Sequence, residues 1–94
     1  MAWKLHILEK AEKDSVWFRK HQRSLYVKCF DLLREIAMDP RHGTGKPERL
    51  KYFTQEVWSR RISHELRLVY VVYADVQEVD IVSCKSHYKG FSLE

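Results

Sequence analysis

The sequence predicts an α+β domain: an N-terminal strand and two helices packed on an antiparallel sheet of about four strands. Three observations carry that prediction. Residues 57–62 and 66–73 are rich in β-branched and aromatic side chains, and the polar break Ser63-His64-Glu65 between them suits a hairpin turn. Residues 24–38 place Tyr26, Cys29, Phe30, Leu33, Ile36 and Ala37 at the i, i+3, i+4, i+7 spacing of an amphipathic helix. Residues 3–8 alternate Trp3, Leu5 and Ile7 with Lys4 and His6, as a strand does.

In chain order, the strand over residues 3–8 leads into a helix over 9–22, where helix formers dominate and Ala11, Ser15 and Phe18 lie along one side. Ser24 is the expected N-cap of the second helix, with Lys28, Asp31, Arg34 and Glu35 on its solvated side. Asp39-Pro40 stops it, because proline disfavours the α conformation just before itself. Residues 41–47 form the one glycine-rich segment, a helix-to-strand connection that lacks the spacing of a phosphate-binding P-loop. PERLK follows, in which Glu48 and Lys51 flank Leu50 just ahead of the hairpin. Residues 78–85 read as the last strand, which delivers His87 and Tyr88.

With a three-residue turn, Arg61 sits opposite Arg67 on the neighbouring strand. Val57, Ser59, Arg61, Arg67, Val69 and Val71 then share one face, and Trp58, Ile62, Leu66, Leu68, Tyr70 and Val72 form the core face. The helices are expected to cover the core face and leave the arginine face open. Two neighbouring cations there call for an anion. Val79, Ile81, Ser83, Lys85 and His87 share a parity, so Lys85 and His87 are expected to join the arginines.

The chain has 94 residues, enough for one domain over residues 1–94 and one core. Its 17 Lys and Arg against 13 Asp and Glu leave a net charge of +4, which favours an anionic partner without specifying one. No signal peptide and no long apolar run are present, so a membrane partner is not expected and a cytoplasmic location is. Cys29 and Cys84 lack zinc spacing and read as two buried thiols. No cofactor is expected, because the cations around Glu48 do not suit Mg²⁺ and no His/Cys set suits Zn²⁺.

These residues suit metal-independent cleavage of RNA by its own 2′-OH, which needs a base, an acid and cations for the charge that develops. Glu48 fits the base and His87 the acid. Arg61, Arg67, Lys46 and Lys51 fit a phosphate clamp, Lys85 a further RNA contact, and Tyr88 a base-stacking or hydrogen-bonding partner. Each also has an ordinary reading: a solvated loop glutamate, a surface histidine, arginines paired with acids. A free glutamate, with a pKa of about 4.3, is a feeble base at neutral pH. Substrate binding must therefore retune it, or positioning and charge stabilisation must supply most of the rate.

GTGKPERLK at residues 43–51, WSRRI at 58–62, RLVY at 67–70 and SHY at 86–88 resemble the Txe/YoeB family of mRNA interferase toxins, in the RelE/ParE superfamily. The resemblance covers roughly the C-terminal half. It implies a compact RelE-type fold and ribosome-dependent cleavage of mRNA in the A site. It also implies a cognate antitoxin of the YefM/Phd type and, in some members, a homodimer. Glu48 is implied as general base, Arg67 as stabiliser of the transition state and His87 as general acid, with Lys51, Arg61 and Tyr88 supporting. Leu66 stands where the family usually carries a polar residue; on the strand reading it faces the core. Residues 89–94 form a short tail, whose Leu93-Glu94 is a candidate cloning remnant. The rival reading from another class is a ParE-like toxin that inhibits a protein such as gyrase without catalysis. A plain nucleic-acid-binding module is a third, which the basic charge suits and the carboxylate does not.

Overall fold

Alternation across the hairpin is realised in the structure, a computed structural model that describes residues 2–87. The elements are β1 (Lys4–Ile7), α1 (Glu9–His21), α2 (Arg23–Met38), β2 (Glu48–Leu50), β3 (Glu56–Arg61), β4 (Leu66–Tyr73) and β5 (Glu78–His87). Strands β3 and β4 pair antiparallel with Arg61 opposite Arg67, the register the three-residue turn requires. Their core face packs Ile62, Leu68, Tyr70 and Val72 against Ala11, Phe18, Cys29, Leu32 and Ile36 of the helices. Leu66 and Trp58 pack at the margin of this cluster, so Leu66 does face the core side.

The sheet has five strands in the order β1-β5-β4-β3-β2, one more than expected. The addition is β2, a three-residue edge strand too short to show a hydrophobic period. The sheet is also mixed, since β1 runs parallel to β5 while the other ladders are antiparallel. Both helices and three strands separate β1 from β5, so no hairpin forces them antiparallel.

Helix α1 has Glu9 and Glu12 in its first turn and Arg19, Lys20 and His21 in its last, matching charge to the helix dipole at both ends. Its buried positions are Ala11, Asp14 and Phe18, with Asp14 in place of the expected Ser15. The second helix begins two residues earlier than expected, and Gln22, not Ser24, is the residue at its boundary. The Gln22 carbonyl accepts from the N–H groups of Leu25 and Tyr26 at 3.0 and 3.2 Å, so Ser24 already lies inside the first turn. The buried stripe is Cys29, Leu32 and Ile36, while Phe30 stays 41% exposed.

The face away from the helices is less open than expected. Val57, Val69 and Val71 are buried there in a second small cluster with Leu50, Phe53, Tyr73 and Val82. Leu50 on β2 and Phe53 just after it help roof the sheet, because an edge strand followed by a tight connection brings its apolar side chains back over the ladder. This leaves the end of the sheet near Arg61 as the polar part of that face.

Candidate functional site

Position in this site is set by a residue the sequence does not advertise. Arg60 is fully buried, and its guanidinium is enclosed by the loop over residues 39–45. Its Nη2 donates to the carbonyls of Asp39 and His42, each at 2.9 Å, and its Nη1 to the Thr44 carbonyl at 3.3 Å and to Glu35 Oε1 at 3.1 Å. Nε donates to the Tyr70 hydroxyl at 3.0 Å, which in turn donates to the Pro40 carbonyl at 2.6 Å. A buried charge is tolerated only when its donors are satisfied, and here backbone carbonyls supply most of the acceptors. The glycines have a role in this arrangement. At Gly43, with φ +139°, any Cβ would collide with Glu35 Oε1 and Arg60 Nη1. Thr44 donates to Glu35 through both its N–H and its hydroxyl, at 2.7 and 2.6 Å. Those bonds, with Arg60 a smaller contributor, hold the Glu35 carboxyl below its usual range.

That loop hands the chain directly to the proposed chemistry. The Arg61 N–H donates to the Gly45 carbonyl at 2.6 Å, after which Lys46 turns the backbone with φ +50° into β2. Glu48 lies opposite Ser59 and therefore on the face of Arg61 and Arg67. It is exposed, as are Lys46, Lys51 and Arg61. Glu48 is thus a strand residue and not the loop residue expected. From the ladder spacing, Glu48 and Arg67 lie two strands apart and two residues offset, about 12 Å between their Cα atoms.

Arg67 differs from its neighbour. It is only 5% exposed, not the open-face cation expected. Its Nη1 donates to the carbonyls of Ser63, His64 and Leu66 at 3.0 to 3.2 Å, so the hairpin turn grips it. Cation repulsion between Arg61 and Arg67 is therefore moderated by turn carbonyls.

Lys85 and His87 do not join the arginines as expected. The β4–β5 ladder shifts register on either side of Val69, and beyond the shift Arg67 faces Ser86 while Leu66 faces His87. The irregularity adds two residues to β5 in two single steps and so restores the alternation. Lys85 and His87 keep the parity of Val79 and Ile81, and that parity is the core face, away from the arginines. Asp14 on α1 stabilises the irregularity. Its Oδ2 accepts from the Ser83 hydroxyl and from the N–H groups of Cys84 and Lys85 at 3.0 to 3.1 Å, and Lys10 pairs with the same carboxylate. The backbone donors freed by the bulge thus find a buried acceptor. Sequence reasoning gave Asp14 no role, since its partners are about 70 residues away.

Beyond the bulge, Lys85 Nζ sits 4.1 Å from the centre of the Trp17 ring. Trp17, Gln22, Leu25, Ser63, His64, Glu65, Leu66, Lys85 and His87 line a cleft of about 530 Å³. Tyr88 lies outside the described residues, as does the tail over residues 89–94. Among the described residues, no three His, Cys, Asp or Glu side chains converge as a metal-ligating group, and no helix is long and apolar enough to cross a membrane. Cys29 and Cys84 are buried free thiols. They neighbour each other in the core, where the hydrogen bond that Cys84 donates to Cys29 and burial together push the Cys84 thiol far up.

Comparison with known proteins agrees with this geometry over nearly the whole chain. The family model described as "YoeB-like toxin of bacterial type II toxin-antitoxin system" matches residues 8–88. Toxin YoeB of Synechocystis is 41% identical over 86 residues, covering 92% of this chain and 98% of that protein. The YoeB dimer structure from Staphylococcus aureus superposes with a TM-score of 0.80 at 36% identity, covering 94% of this chain and all of that one. The heterotetrameric YoeB-YefM toxin-antitoxin complex from the same organism gives 0.76 at 35% identity, with the same coverage. With its helices on a mixed five-stranded sheet and its matching motifs, this chain belongs to the YoeB-like toxin family of bacterial type II toxin-antitoxin systems.

Proposed function

We propose that this toxin is a metal-independent endoribonuclease that cuts mRNA in the ribosomal A site by attack of the RNA 2′-OH on the adjacent phosphorus. The observation that supports it is the shared sheet face of Glu48, Arg61 and Arg67, with His87 at the adjoining end of β5, next to Ser86, the partner of Arg67, and on the opposite face. Glu48 accepts the 2′-OH proton, and His87 gives a proton to the departing 5′-oxygen. Arg67, already held by the turn, stabilises the charge on the phosphorane-like transition state, which costs little reorganisation in a pre-set site. Lys46, Lys51 and Arg61 meet the phosphates around the cut, Lys85 a further one, and Tyr88 contacts a base.

Cleavage conserves atoms without a bound cofactor: the 2′-oxygen forms a bond to phosphorus, the 5′-oxygen leaves with the proton, and a 2′,3′-cyclic phosphate remains. The proposed partners are the ribosome with its mRNA, a YefM-like antitoxin that covers the exposed cations, and a second copy of the chain. Its proposed setting is the cytoplasm, where translation occurs.

The experiment is a programmed ribosome carrying one 2′-deoxyribose at the cut site. The message should bind and stay whole, while the all-ribose message yields a cyclic phosphate end. Cleavage of the deoxy message at the same bond and rate would sink the mechanism.

A further inference from the structure

Lys85 is held twice by α1. Asp14 accepts from its backbone N–H at 3.1 Å, and Trp17, one turn further along the same helix face, lies under its ammonium at 4.1 Å from the ring centre. A lysine side chain normally sweeps a wide volume and loses much rotamer freedom when it binds. Here the ring attracts the cation electrostatically and restricts it to one wall of the cleft that also contains His87. Trp17 is itself fixed, with its other neighbours Phe18 and His21 at ring separations of 6.0 and 4.7 Å. No carboxylate neutralises the Lys85 ammonium among the ion pairs of the described residues. Strand β5 therefore delivers an oriented cation on the helix side of the sheet, away from Arg61.

We propose that this cleft is a phosphate subsite for the RNA strand, with Lys85 as its cation and Trp17 as the residue that positions it. The proposal rests on the RNA-cleaving reading and extends it. A strand engaged at Arg61 and Arg67 would continue past His87, around the end of the β4–β5 ladder, and place a neighbouring phosphodiester at Lys85. Trp17 touches no substrate in this scheme and acts only through the lysine.

The test uses the full chain bound to ribosomes programmed with a message made uncleavable by a 2′-deoxy substitution. Neutral methylphosphonates replace the phosphates around the cut one at a time. At one position the neutral linkage should weaken wild-type binding about 5- to 10-fold, and Lys85→Met should show no further loss there. The slope of log affinity against log salt should fall by about 0.7 in Lys85→Met, as for one single-strand phosphate contact. Trp17→Leu, which keeps apolar bulk without a π face, should lose about 3- to 10-fold, Trp17→Phe should recover most of it, and Trp17→Leu should cost nothing more in the Lys85→Met background. Additive losses at every methylphosphonate, or a Trp17→Leu loss unchanged in the Lys85→Met background, would overturn the subsite. Because binding is read on an uncut message, failure of the subsite is distinct from failure to cleave an all-ribose message, which counts against the activity.

Discussion

Replacing Arg60 by Met should be the most damaging single change in the hairpin, although its neighbour Arg61 is the residue nearer the proposed chemistry. Methionine fills a similar length but leaves the carbonyls of Asp39, His42 and Thr44 and the Tyr70 hydroxyl without the Arg60 donor, and the Glu35 carboxylate with Thr44 alone. Each acceptor deprived of its partner in a buried site costs about 1–3 kcal/mol. The losses do not add, since the loop can move outward and let water reach some of them. Breaking a buried charged cluster by removing one member typically costs about 3–5 kcal/mol, and we expect that range here. For a domain of this size, with a total stability of about 5–15 kcal/mol, the loss lowers the midpoint of thermal unfolding by about 12–30 °C. Urea titration followed by tryptophan fluorescence measures it, and an unchanged slope would show that the unfolded state is unaffected. Arg61→Met, at an exposed position, should stay within about 0.5 kcal/mol of wild type. If Arg60→Met costs less than about 1 kcal/mol, the buried guanidinium does not hold the loop and the argument fails.

Glu48→Ala and His87→Ala, both at exposed positions, should keep the wild-type stability while cleavage on programmed ribosomes falls about 10²- to 10⁴-fold; matched stability with undiminished cutting would remove their roles. Gly43→Ala should destabilise by about 1–3 kcal/mol in the same urea titration, because the Cβ meets Arg60 Nη1 and Glu35 Oε1 at a positive φ. Acid unfolding should be less steep in Glu35→Gln. The Glu35 carboxyl is held below its usual range by Thr44, so its contribution is full above the unfolded value of about 4.3 and is lost as pH falls through the lower folded value. The gap in stability between wild type and Glu35→Gln should therefore be constant from pH 7 to about 5 and close below that; a gap that widens in acid would contradict the assigned shift.

Sequence periodicity revealed the hairpin because its signal is local. The alternation of residues 66–73 and the three polar turn residues determine both faces and the Arg61–Arg67 register without help from elsewhere. Helix α2 was legible as an element but not as a stripe: Cys29, Phe30, Leu32 and Leu33 are all apolar, so two overlapping faces fit, and contact with the sheet selects Leu32 over Phe30. Strand β2 carries three residues and no period, so only its pairing with β3 defines it. Arg60 and Arg67 look like surface cations because their acceptors are chiefly main-chain carbonyls, which have no letter in a sequence. Parity along β5 grouped Lys85 and His87 rightly with Val79 and Ile81 but put the set on the wrong face. Val79 and Ile81 are core residues on the helix side, and the double register shift that Asp14 stabilises, far away in the chain, keeps that side through to His87.

The strand order has a consequence for when the protein can become active. Strand β5 lies between β1 and β4, so the segment made last among the described strands is the internal one. Until it arrives, β1 has no partner in the sheet, Asp14 lacks its acceptor role at Cys84 and Lys85, and Phe18 and Ala11 have no Val79 or Ile81 to pack against. Contacts of such long sequence separation close late, after the loop entropy of nearly the whole chain has been overcome. A growing chain can form the helices and the β3–β4 hairpin while it is still being synthesised, but not the finished sheet. Completion of the sheet, and of every contact that depends on it, therefore waits for residues 78–87, the last made of the described strands.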